Sequence, residues 1–282
     1  MHSAPPLRKA LGQHHLRSAE LCRPALDFLD PRGRIVVEIG SGGGVLTSAL
    51  LSAGARVFAW ELDLAWAFEL RRQRREAALA VVAADALDMP WAQLPTGALA
   101  AGNLPYSMDS PLIESYLVHA TGMPRAVFLV QAEVAERLVA PPGSRNYGLL
   151  SVMVAAHAEA RLLARVKPGS FRPPPRVSGA FVGLTRRTGV LAPDQMAAFR
   201  RTLVAAFSYR RKTLLNAVGT SWGRGATGEI LADAALDPSR RAESLTLDEL
   251  LRLHRARTAY GIGGIRDSAE ARTRGRNIKK SL

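Results

Sequence analysis

The chain is poor in cysteine: Cys22 is the only one among 282 residues. A single thiol excludes an internal disulfide and a zinc site built from cysteines. Its simplest role is that of a small buried side chain. Long apolar runs are missing too, none approaching the ~18 residues that a membrane span requires. The opening MHSAPPLRKALGQ lacks the apolar stretch of a signal peptide, so a cytoplasmic protein is expected. Lysine is scarce, confined to Lys9, Lys167, Lys212, Lys279 and Lys280. Arginine is not: it supplies 33 of the 38 basic residues, set against 24 acidic ones, for a net charge of +14. Such an excess suits a polyanionic partner, nucleic acid before an anionic membrane. The planar guanidinium forks onto phosphate and stacks on bases. A GC-rich genome alone would favour arginine over lysine, but it would leave the net charge unexplained.

Hydrophobic residues make up 48% of the chain, enough for a large core, and the length predicts one large domain with a smaller companion. Strand-like and helix-like patterns alternate through the first two-thirds. RIVVEI is short, β-branched and bounded by glycine, and VLTSALLSAG has helical spacing with a stop at Gly54. ARVFAWEL, LAVVAAD, GALAAG and AVFLV continue as strands, separated by the helical AWAFELRRQRREA and SPLIESYLVHA. QAEVAERLVA and YGLLSVMVAAHA follow as helices, then ARLLARV and GAFVGLTRR as strands with no helix between them. The pattern predicts an α/β fold: an open seven-stranded Rossmann-like sheet, mostly parallel, covered by helices, with an antiparallel pair at one edge. Beyond Arg187 the strands stop. Met196, Phe199, Leu203 and Phe207 fall on one helical face, and Thr246 and Glu249 have capping-box spacing. The expected domains are 1–187, a helical domain at 188–260, and a mobile basic tail at 261–282. No apolar stripe is left uncommitted, so a monomer is expected.

VEIGSGGGVLT places Gly40, Gly42 and Gly44 where the first strand turns into a helix. The dinucleotide fingerprint would need glycine at Val45, so a pyrophosphate ligand is not indicated. The next strand ends at Glu61, where a carboxylate can accept two ribose hydroxyls. The third ends at Asp85, placed to accept from an adenine amine. A glycine loop, a ribose acid and an adenine acid in that order describe a nucleoside lying across three strand ends. S-adenosylmethionine fits, since it carries adenosine without pyrophosphate. A glycine turn that merely packs a helix on a sheet is the alternative.

The fourth strand runs into Asn103-Leu104-Pro105-Tyr106. Methylating an exocyclic amine meets one obstacle, the delocalisation of the nitrogen lone pair into the ring. The Asn103 side-chain carbonyl and the Leu104 main-chain carbonyl can accept both N–H bonds and aim that lone pair at a methyl group. Pro105 fixes the backbone between them. Tyr106 offers a face on which a base can stack, worth roughly 1–3 kcal/mol. Taken alone, these four residues also read as a turn with a core tyrosine.

With these residues in view, the chain resembles the KsgA-type ribosomal RNA adenine dimethyltransferases from about Arg8 to His254. RKALGQHHL resembles the family's N-terminal segment, VEIGSGGGVLT its cofactor loop and GNLPY its catalytic motif. GSFRPPPRV, FSYRRKTLLN and LDPSRRAESLT resemble its later segments. The resemblance implies transfer of two methyl groups to N6 of each of two adjacent adenosines, in a hairpin loop near the 3′ end of small-subunit rRNA. It implies S-adenosylmethionine contacts at His14, Leu16, Gly40, Glu61, Asp85 and Asn103. It implies a second aromatic wall at Phe171 opposite Tyr106, for which a core phenylalanine is the alternative. It also implies phosphate contacts from Arg210, Arg211 and Lys212, for which a solvated helix face is the alternative. The family usually has Asn where this chain has His14, and Phe where it has His15, so part of the apolar cover is expected to be lost there. Rival readings are a large-subunit rRNA dimethylase conferring antibiotic resistance, a ribosome-assembly factor without chemistry, and a methyltransferase for DNA adenine or protein glutamine.

Overall fold

The computed structural model describes residues 5–8, 12–74 and 76–261. In chain order the first elements are β1 (His15–Leu16), α1 (Arg23–Leu29), β2 (Ile35–Ile39), α2 (Val45–Ser52), β3 (Arg56–Glu61), α3 (Leu64–Gln73) and β4 (Leu79–Ala83). Then come β5 (Leu99–Asn103), α4 (Asp109–His119), β6 (Arg125–Gln131), α5 (Ala132–Leu138), α6 (Leu149–His157), β7 (Ala158–Val166), β8 (Phe171–Arg172) and β9 (Gly179–Arg186). Four helices close the chain: α7 (Met196–Phe207), α8 (Leu214–Trp222), α9 (Arg224–Asp233) and α10 (Leu247–Ala259).

Seven strands form one sheet in the order β4-β3-β2-β5-β6-β9-β7. The pairs from β4 to β6 are parallel and both pairs of β9 are antiparallel, as the missing helix between the last two strands predicts. A central strand covered on both faces reads as a continuous buried run, and Val36, Val37, Glu38 and Ile39 of β2 are all buried. Val36, Leu50, Val57, Leu99, Leu129 and Phe181 belong to the core that seals this sheet. Burying each of the larger of these side chains contributes roughly 1.5–3 kcal/mol. The chain leaves β2 toward β3 and β4, then returns to β2's other side as β5. That reversal opens a crevice beyond the carboxyl ends of β2 and β5. The register pairs Ile39 with Gly102, so Gly40 and Asn103 emerge together at that edge.

Among the described residues the chain divides into two compact units, Met1–Val139 with His157–Thr188, and Ala140–Ala156 with Gly189–Leu282. Residues 140–156, expected in the first domain, thus belong to the helical unit. There Gly143 N–H donates to Glu243 O and the Tyr147 hydroxyl to Leu245 O. Helical periodicity places a segment on a helix but does not say which core receives it. In α7, Met196, Phe199 and Leu203 are buried as the periodicity predicts, with Phe207 half-buried. Thr246 and Glu249 form a complete capping box at the start of α10. The tail expected over 261–282 lies outside the described residues except for Gly261. No helix among the described residues is long and apolar enough to cross a membrane.

Candidate active site at the carboxyl edge of the sheet

A cleft of about 240 Å³ opens at the predicted crevice. Gly40, Gly42, Glu61, Asp85, Asn103, Leu104 and Pro105 line it, together with Gly12 to His15 of the N-terminal segment. Residues far apart in sequence therefore meet where the reading of strand ends placed them.

The glycine loop is held by Glu61. This buried carboxylate accepts the Gly42 N–H at 2.7 Å and the Asp63 N–H at 2.9 Å. Burial pushes its pKa up, while those two main-chain donors pull it down. Each carboxylate oxygen has two lone pairs, so Glu61 keeps acceptor capacity facing the cleft. Asp85 follows β4, half-buried, and its Oδ1 accepts the Leu87 N–H at 2.9 Å. Its other oxygen is not engaged by that cap.

The Asn103 amide is oriented by the N-terminal segment. Its Nδ2 donates to the His14 carbonyl at 2.7 Å. A carbonyl can only accept, so Oδ1 is the atom left to receive a donor. The next main-chain N–H, that of Leu104, donates to Leu129 O of β6 at 3.0 Å. Pro105 has no N–H to satisfy. The Pro105 carbonyl accepts from Met108 N at 2.7 Å, which closes the turn into α4.

The N-terminal segment is stitched over this edge. β1 pairs antiparallel with β8, His15 opposite Arg172 and Leu16 opposite Phe171. His14 Nδ1 donates to Pro173 O at 2.8 Å and Arg17 Nε to Phe171 O at 3.0 Å. Gln13 Nε2 donates to Asp63 Oδ2 at 3.2 Å, and Arg8 lies 3.4 Å from the same oxygen. His15 keeps the cover that its replacement of Phe was expected to weaken. Its imidazole stands edge-on to Trp66 at 4.5 Å, and burial lowers its pKa to about 4, so it packs as a neutral ring.

Other residues expected to contact cofactor or RNA do not line the main cleft. Leu16 does not line the main cleft; it is buried and borders a smaller recess behind the glycine loop. Phe171 is no second wall here: it is fully buried in the core, so the core reading of that residue holds. Tyr106 is half-buried, with its ring 5.3 Å from His14, but it is not among the cleft-lining residues. Arg210, Arg211 and Lys212 are exposed, yet they lie in the turn between α7 and α8, not on a helix face. They belong to the second unit. Arg210 Nη2 donates to Arg145 O at 2.7 Å, and Lys212 Nζ sits 4.1 Å from the Tyr209 ring centroid.

The sequence reading passed over Glu38. It is fully buried beside the recess, where Oε2 accepts the Thr47 hydroxyl at 2.6 Å and Oε1 has no hydrogen-bond partner. Burial, with neighbouring Glu61 adding to it, raises its pKa to about 7. The Ser41 hydroxyl, also buried and unpartnered, borders the same recess. A carboxylate inside the buried run VVEI was the available signal, since such a group is almost never enclosed without a partner or a ligand.

The sequence profile described as ribosomal RNA adenine dimethylase matches residues 5–256. The chain is 41% identical over 264 residues to the Ribosomal RNA small subunit methyltransferase A of Anaeromyxobacter dehalogenans (strain 2CP-C), covering 88% of this chain and 93% of the relative. It is likewise 41% identical over 256 residues to the protein of that name from Syntrophotalea carbinolica, covering 87% and 95%. Among solved structures it resembles a dimethyladenosine transferase from Plasmodium falciparum, with a TM-score of 0.76 and 25% identity over 88% of this chain and 99% of that one. The 23S rRNA methyltransferase ErmE shares the fold, with a TM-score of 0.66 at 22% identity over 86% and 98%. The profile match over nearly the whole length, with a cleft beside an oriented Asn-Leu-Pro-Tyr turn, places this protein in the ribosomal RNA adenine dimethylase family.

Proposed function

We propose that the protein uses S-adenosylmethionine to dimethylate N6 of two adjacent adenosines in a hairpin loop near the 3′ end of small-subunit rRNA, in the cytoplasm and as a monomer. The observation that carries this reading is the Asn103 amide, fixed by the His14 carbonyl with its acceptor oxygen left available beside the glycine loop. Small-subunit specificity comes from the names of relatives that are about 40% identical over most of the chain.

The site fits the cofactor on its own chemistry. Glu61 would take the ribose hydroxyls and Asp85 the adenine amine. The unpartnered Glu38 Oε1, at the recess behind the glycine loop, suits the ammonium of the amino-acid end. When bound, S-adenosylmethionine supplies an electrophilic methyl group on a sulfonium. The rest falls to the chain. Asn103 Oδ1 and the Leu104 carbonyl would accept the two N–H bonds of the adenine amine, with Tyr106 stacking under the base. An unstacked loop nucleotide is the form of RNA that such a pocket can take. Rate enhancement then comes from positioning, and the proton leaves a nitrogen that is already cationic.

The test compares wild type with Asn103→Ala on small subunits from a strain lacking the modification. The variant is expected to bind S-adenosylmethionine within a few-fold of wild type. Its turnover is expected to fall about 10²–10³-fold, as when one oriented hydrogen-bonding group is removed from an active site. Full activity in Asn103→Ala would contradict the amine-positioning role.

A further inference from the structure

Behind the Asn-Leu-Pro-Tyr turn lies a buried polar arrangement that the cleft does not use. Asp109, the first residue of α4, is 2% exposed. Its Oδ2 accepts the main-chain N–H of Gln131, the last residue of β6, at 3.0 Å. The Gln131 side chain in turn donates from Nε2 to the Tyr106 carbonyl at 3.1 Å. Two atoms remain buried without a hydrogen-bond partner, Asp109 Oδ1 and the Tyr106 hydroxyl.

The tyrosine head rests on a place made for it. Gly179 pairs with Gln131 across β6 and β9. A Cβ on Gly179 would stand 3.3 Å from the Tyr106 hydroxyl and 3.1 Å from both Phe171 Cζ and Leu129 Cδ1. Both ends of Tyr106 therefore lie at one rung of the sheet, the carbonyl bonded to Gln131 and the phenol packed over the bare backbone of Gly179.

We propose that Asp109 and Gln131 are positioning residues for the target base: Gln131 fixes the turn that carries Tyr106, and the carboxyl of Asp109 fixes Gln131. The inference rests on the function proposed above and extends it to residues that touch neither base nor cofactor. The charge state of Asp109 follows from its surroundings. Burial raises its pKa to about 8, opposed only by the Gln131 N–H, so the group is uncharged in neutral solution. On the turn, the Tyr106 phenol is lifted to about 12 by burial and by Asp109, and it stays neutral throughout. β6 and β9 present Gln131 and Gly179, neither of which titrates, and the N-terminal segment presents the titratable His14 ring, 5.3 Å from that of Tyr106. Raising the pH through 8 would place an anion at the buried N–H of Gln131, the residue that holds the turn, and the alignment of the base should suffer.

The experiment uses the full-length protein with S-adenosylmethionine and unmodified small subunits, single-turnover rates being followed from pH 6 to 10. Gln131→Leu is expected to lose at least tenfold in transfer rate, with cofactor affinity within twofold of wild type. Asp109→Leu should lose a similar factor. Asp109→Asn, which mimics the uncharged acid, should recover most of that loss and should not show the wild-type decline above pH 8. A second arm needs no activity. With 13C-labelled tyrosine, the Tyr106 ring resonance, assigned with Tyr106→Phe, is expected to shift with a midpoint near pH 8 in wild type and to stay flat in Asp109→Asn. A Gln131→Leu rate within twofold of wild type, or a wild-type Tyr106 resonance that ignores pH around 8, would overturn the proposal. Wild type failing to methylate the subunits would instead count against the function itself, and the resonance arm would still decide the link between Asp109 and Tyr106.

Discussion

A Cβ at residue 42 would stand 2.7 Å from His15 Nε2, at a backbone φ of +47°. The space and the backbone both demand glycine there. Gly42→Ala is therefore expected to weaken S-adenosylmethionine binding by at least tenfold, measured by calorimetry. His15→Ala in the same chain removes the clash but not the strain, so it should restore part of the loss, and a double-mutant cycle isolates that part. Full independence of the two substitutions would show that His15 does not press on the loop. At this scale the sequence was informative wherever a side chain sits at a strand end, because the sheet alone brings Gly40, Glu61, Asp85 and Asn103 to one edge. It misled at Phe171. The burial of that ring depends on the two-residue pairing of β1 with β8 and on the bare backbone of Gly179, neither of which leaves a periodic signal.

Elements follow their local chemistry closely. In α10 the Thr246 hydroxyl accepts from Glu249 N–H, while the Glu249 carboxylate takes the Thr246 N–H at 2.8 Å. Glu249 also receives Arg240, Nη1 to Oε1 at 2.5 Å, and this holds its carboxyl below the usual range. Thr246→Ala should cost about 1 kcal/mol of the stability of the helical unit by denaturant titration, the usual worth of a lost N-cap. No measurable change would mean that the last helix is set by packing alone. The capping box was legible because it is local. The turn at 208–213 was not, because RRK continues a helical composition without a glycine or proline to end it. Assignment of 140–156 to the helical unit was equally hidden, since it rests on contacts such as Tyr147 with Leu245, 98 residues away.

Across the whole molecule, several buried groups make stability depend on pH. Asp109 and Glu38 have native pKa values raised to about 8 and about 7, so the folded state holds protons that the unfolded chain has already released. Stability on their account is greatest at low pH, and it falls as pH rises from about 4 to those values. His15, lowered to about 4 and uncharged in the fold, works the other way, removing stability as pH drops below 6.5. The two trends oppose each other in acid, so the clearest decline is expected between pH 6.5 and 8. Asp109→Asn should gain on wild type across pH 4 to 8, by on the order of a few kcal/mol, and the gap should then stay constant. Thermal melts of the two proteins across that range check it, and a gap that does not change with pH would contradict the burial of an uncharged Asp109.

Net charge belongs to the same scale. The +14 of the chain prepares it for RNA without saying which RNA. The most direct measurement offers wild-type protein and labelled S-adenosylmethionine an equal mixture of unmodified small and large ribosomal subunits, and maps the methyl groups by reverse transcription and mass spectrometry. The account predicts N6,N6-dimethyladenosine at two adjacent positions in a hairpin loop near the 3′ end of the small-subunit RNA, with the large subunit unlabelled. Methyl groups on the large-subunit RNA, or on neither, would contradict it.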